Sequence, residues 1–133
     1  MNRLSLHGGA LFLLAAGILS CSEPDTEGCT GDVDLSVTGS SLPSFSWVPD
    51  CAVTSLTVVD GGEQGLWEIN AQIGENTIES PVRFGQVPDG ASESEPAGQL
   101  LRGNTYIVRV FRVTNDNSGN HNIFRAGEEI FPW

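Results

Sequence analysis

Past Cys21 the apolar residues recur at every second position in short runs, and turn chemistry interrupts each run. The strongest run is Thr105 to Val113 (TYIVRVFRV). It sets Tyr106, Val108 and Val110 in one row, and Ile107, Phe111 and Val113 around Arg109 in the other. Val33, Leu35 and Val37 alternate with Asp32, Asp34, Ser36 and Thr38, and Gly39-Ser40-Ser41 supplies a turn. Phe45 and Trp47 then alternate up to Pro49-Asp50. Ala52 to Val59 is β-branched and stops at Asp60-Gly61-Gly62. Leu66 to Ile73 places Trp67, Ile69, Ala71 and Ile73 on one face. Thr77 to Phe84 contains Pro81, which marks an edge strand or a bulge. Gln86 to Gln99 reads as a surface loop, Thr114 to His121 as a long turn, and Asn122 to Pro132 as a last strand or two. No apolar pattern of helical period survives after Cys21. About seven short strands imply an all-β chain, a single antiparallel β-sandwich over residues 30–133.

The first twenty residues have a different character. Met1 to His7 carries Arg3 and no acid, and Gly8 to Leu19 (GGALFLLAAGIL) has no charged side chain. That core is shorter than the roughly 20 residues a membrane-spanning helix needs, and it has no polar face for a helix packed on a core. It fits the apolar region of an export signal, predicted over residues 1–20. Residues 21–29 then read as an acidic tether, with Pro24 and Gly28 interrupting SEPDTEG.

Ile18-Leu19-Ser20-Cys21 resembles a bacterial lipobox, in which an aliphatic and a small residue precede an obligatory cysteine. The resemblance implies that Cys21 receives diacylglycerol and becomes the new amino terminus. Two or more acyl chains anchor stably where one is marginal. Ser22 stands where an aspartate would favour inner-membrane retention, so the implied address is the outer membrane of an organism that has one. The alternative is ordinary cleavage at Ala15-Ala16-Gly17 or at Ser20, which gives a secreted chain with a spare thiol.

With Cys21 lipidated, Cys29 and Cys51 remain, an even pair in an exported chain. A hairpin centred near Ser40 would set them opposite each other, within the span a disulfide accepts. Reduced, buried thiols are the alternative. A zinc site has too few ligands, with two thiols and one histidine past the signal.

Two further stretches carry a likeness. Pro43-Ser44-Phe45-Ser46-Trp47 resembles the second strand of fibronectin type III and immunoglobulin-like domains, where the tryptophan anchors the core. Leu100-Leu101-Arg102-Gly103-Asn104-Thr105-Tyr106 is similar to the approach to their sixth strand, although Arg102 stands where proline is common. The resemblance implies that Trp47 and Tyr106 are structural, with the Tyr106 hydroxyl bonded to backbone just upstream.

Charge and residue types then restrict function. The chain holds 17 acids against six arginines and no lysine, a balance that repels nucleic acid and anionic lipid. His121 is the one histidine past the signal and falls in a polar turn; no G-x-S-x-G, phosphate-binding loop or H-E-x-x-H occurs. Asp32 and Asp34 share a strand face and Asp116 lies among asparagines, but neither run has the order of a calcium loop. No cofactor is expected. The reading is a lipid-anchored envelope β-sandwich acting as a non-catalytic interaction or structural module. Its partners are the membrane, through the anchor, and an envelope protein or glycan met by Trp67, Phe111 or Trp133; the other reading of Trp67 and Phe111 packs them between sheet and loop. The alternatives are a secreted binding domain and a small carboxylate-dependent hydrolase.

Overall fold

A computed structural model describes residues 29–133; the predicted signal peptide, Cys21 and the segment up to Gly28 lie outside the described residues. The described chain is all-β. Eight strands form it: β1 (Asp34–Thr38), β2 (Ser44–Val48), β3 (Ser55–Asp60), β4 (Gly65–Asn70), β5 (Val82–Arg83), β6 (Ser92–Glu95), β7 (Thr105–Asn115) and β8 (His121–Pro132). They make two antiparallel sheets, one in the order β1-β2-β5 and the other β6-β4-β3-β7-β8.

The inward rows are those the alternation marks. Leu35, Phe45, Trp47 and Val82 come from the small sheet; Leu56, Val58, Trp67, Ile69, Tyr106, Val108 and Val110 come from the large one. Each such side chain, removed from water, contributes roughly 1.5–3 kcal/mol before chain entropy is counted. Edge-on aromatic contacts add direction, with Phe45 on Phe131 at 5.7 Å and Trp67 on Phe84 at 5.3 Å.

The sheets also touch along one side. The Val33 N–H donates to the Ala126 carbonyl at 2.8 Å, joining the approach to β1 to the edge strand β8. Ala126 is the extra residue of a bulge, since Val110 faces Gly127 and Phe111 faces Arg125. Gly127 is needed there, because a Cβ would lie 2.9 Å from the Val33 carbonyl oxygen.

Four sequence expectations are corrected. The stretch Gln86 to Gln99, read as a surface loop, holds the strand β6; its Ser-Glu-Ser-Glu side chains are all exposed, so no apolar alternation announces it. β4 stops at Asn70, and Ile73 sits at a turn tip, 90% exposed, instead of on the Trp67 face. The first hairpin pairs Asp34 with Val48 and Thr38 with Ser44, which centres it on Ser41. Cys29 and Cys51 therefore meet beyond the paired residues, not as a cross-strand pair; their bridge forms all the same, with Cα atoms 5.6 Å apart. The Pro81 expectation holds, since it immediately precedes β5, an edge strand.

Candidate functional site

Strand direction sorts the loops onto two ends. Cys29, the β2–β3 connection and the β7–β8 turn share one end; the β1–β2 turn, the β3–β4 turn, the approach to β7 and Trp133 share the other.

At the second end, the approach to β7 is bonded to Trp133 through its backbone. The Trp133 N–H donates to the Asn104 carbonyl at 2.9 Å, and the Gly103 N–H donates back to the Trp133 carbonyl at 2.6 Å. Tyr106 fixes the same loop from below, as its hydroxyl accepts from the Leu101 N–H at 2.8 Å. This is the upstream backbone bond that the fibronectin-like motif implies. Gly103 carries φ +87°, a left-handed turn that only glycine adopts freely.

So held, the half-buried Trp133 ring borders a groove of about 220 Å³ with Leu42, Phe84, Leu100, Ser41 and Gln99. Arg102 lies over the indole, its guanidinium carbon 5.0 Å from the ring centroid, and donates to the Ser40 carbonyl at 3.0 Å. Leu42 and Leu101 stay exposed beside it. An aromatic ring and aliphatic neighbours lining one small groove, with a cation stacked on that ring, are suited to non-covalent contact with an apolar group that carries polar or anionic atoms.

The three proposed contact aromatics are not brought together. Trp67 is fully buried, its Nε1–H donating to Glu93 Oε1 at 2.8 Å, so its assignment to a binding surface is corrected. The period that sets it beside Ile69 on β4 already carried that answer. Phe111 is half-buried on the outer row of β7, opposite Ser55 and Arg125. Only Trp133 borders a groove. Trp47 is core, and its Nε1–H donates to the Cys51 carbonyl at 2.7 Å, tying the indole to the disulfide.

Several polar groups elsewhere are engaged with each other. Arg109, on the outer face of β7, makes a two-pronged contact with Glu63 and a further one with Glu128, all at 2.5–2.6 Å. Its guanidinium holds both carboxyls below the usual range. Glu63 is presented by the β3–β4 turn at φ 65°. Asp116 accepts from the Ser118 and Asn120 backbone and from the Asn120 amide, which holds its carboxyl low as well. His121 is exposed, its Nδ1 2.6 Å from Asn115 Oδ1. Asp32 and Asp34 line a polar crevice of about 390 Å³ with Arg125 and Glu128 along the β1–β8 seam. Among the described residues, no three His, Cys, Asp or Glu side chains are grouped to hold a metal ion.

Two residues escaped the sequence reading. Arg102 gives no sign in sequence that it will stack on Trp133. Arg112, on the inward row of β7, is buried and donates through Nε to the Ala52 carbonyl at 3.0 Å. Burial pulls its pKa down.

Comparison with protein-family models, with curated proteins and with solved structures returns no match.

Proposed function

We propose that this chain is an exported, lipid-anchored envelope protein whose sandwich, of fibronectin type III or immunoglobulin-like kind, serves as a non-catalytic interaction module. The observation that carries the reading is the separation of its two ends. The chain enters at Cys29, bridged to Cys51, while the Trp133 groove lies at the opposite end, a strand length away. A domain fastened at the entry end presents that groove outward. The Ile18-Leu19-Ser20-Cys21 motif supports the anchor, and the bridge fits an oxidising compartment. The Tyr106–Leu101 bond supports the family likeness. A groove rim bearing Arg102, which has no carboxylate partner among the described residues of an acid-rich chain, suits an envelope partner that offers apolar and acidic groups together.

Two measurements test this. The intact mass of protein extracted from its own membranes should equal Cys21–Trp133 plus acyl chains, and should rise by two hydrogens on reduction. An unmodified mass beginning elsewhere makes the protein a secreted domain instead. A photo-crosslinker at Gln99 should give discrete envelope adducts that Trp133→Ala removes, while one at Thr57, on the outer face of the large sheet, gives none. Identical adducts from both positions sink the interaction module.

A further inference from the structure

We propose that the entry end of the sandwich is itself a lipid-contacting surface, resting on the bilayer through Ile73 and Ile123 with Val48 beside the small sheet. This rests on the anchored reading and extends it from a tether to a docked orientation.

The three most exposed large aliphatic side chains of the described residues are Ile73 at 90%, Val48 at 71% and Ile123 at 65%. All three lie at the end where the chain enters. Val48 closes β2 opposite Asp34, and Ile123 faces Val113 in the part of β7–β8 that runs past the end of β3. Ile73 follows β4 in the turn where the Glu75 N–H donates to the Gln72 carbonyl. That turn is braced from outside. The Asn115 amide donates to the Gly74 carbonyl at 2.9 Å, and the His121 ring packs so closely on Gly74 that a Cβ there would meet it at 2.6 Å. Gly74 at φ +82° allows the turn. Ile73 is thus held outward at a rigid tip, next to the strand that carries Ile123, where turn chemistry ordinarily places a polar residue.

The occupant follows from the tether. Seven residues separate Cys21 from Cys29, a reach of at most about 30 Å for eight extended steps. A bilayer held that near is presented to the entry end at high effective concentration, so a weak apolar contact suffices. Asp32, Asp34, Asp50, Glu75 and Asp116 occupy the same end. The surface it meets is therefore zwitterionic lipid, since anionic headgroups would be repelled.

The test uses the oxidised chain from Cys21 onward, in which Cys21 is the single free thiol, coupled to a maleimide phospholipid in phosphatidylcholine nanodiscs. Its isoleucine methyl groups are followed by NMR as spin-labelled lipid is added. Ile73 and Ile123 should broaden severalfold more than Ile130 and Ile107 on the flank of the large sheet. Phosphatidylglycerol should reduce that difference, and Ile73→Glu should reduce the broadening at Ile123. Equal broadening of Ile73, Ile123 and Ile130, or none at any, overturns the docked orientation. Because the lipid is installed chemically, this result is independent of native lipidation, which the intact mass reads separately.

Discussion

The entry end and the Trp133 end close the same sandwich by different means. At the entry end a covalent bridge joins Cys29 to Cys51, the Trp47 indole is bonded to the Cys51 carbonyl, and Arg112 reaches the neighbouring Ala52 carbonyl. At the other end nothing covalent crosses. The Tyr106 hydroxyl holds Leu101, Gly103 and Asn104 exchange backbone bonds with Trp133, and Arg102 lies on the indole from outside. The first arrangement constrains the unfolded chain as well as the folded one; the second acts only once the fold exists.

Removing the bridge tests the contrast most severely. Cys29→Ser with Cys51→Ser should cost roughly 3 kcal/mol by chain entropy, read as a fall in the denaturant midpoint. Amide protection should drop at Val53 and Thr54, whose N–H groups donate to Ile78 and Phe111, while that of Val108 follows global stability alone. Equal early opening at Leu101 would show that the two ends are not independent. Tyr106→Phe removes the acceptor for the Leu101 N–H and should cost about 1–2 kcal/mol. Its local signature should lie at Leu101–Asn104, with the disulfide end unmoved. Arg102→Ala should cost about 0.5–1 kcal/mol as an exposed cation–π contact. The resulting increase in acrylamide quenching should come from Trp133, because Trp47 and Trp67 are buried. Unchanged quenching would mean that Arg102 does not cover the ring.

The smallest effect concerns neither end. Arg109 on the sheet flank holds Glu63 and Glu128 below their ordinary value of 4.5. A carboxyl with a depressed folded-state pKa contributes stability above that ordinary value and loses it as pH falls through the depressed one. Arg109→Met should therefore lower stability slightly at neutral pH and leave it unchanged below both values. Added salt should shrink the difference, since the pairs lie at the surface and both carboxylates reach solvent. A difference that persisted in strong acid would place the role of Arg109 in packing.

Much of this contrast was legible in sequence. Period-two runs disclosed β1, β2 and β7 because each buries one row of side chains, and that row is written in the residue types. The Cys29–Cys51 pairing follows from an even pair of cysteines in a chain expected to be exported, although the hairpin centre expected for it is off by one residue. Backbone pairing without side-chain burial leaves no such trace, so β6, all serine and glutamate, went unseen. Alternation also overran its strand at Ile73, since the pattern of residue types does not record where the chain turns. The Trp133 groove was half legible. A tryptophan beyond the last strand was noticed, but Arg102, Leu42 and Phe84 reach it only through the closing of two sheets.

The disulfide has one more consequence, in mechanics. Because Cys29 is bonded to Cys51, a pull on the chain at its amino-terminal side divides at Cys29 and is carried across the sulfur atoms to the start of the β2–β3 connection. The whole of the β1–β2 hairpin lies inside that closed loop and cannot be drawn out while the bridge is intact. Load passes straight to Val53, buried in the core. The first hairpin, which elsewhere would be the first element to peel, becomes a shielded one.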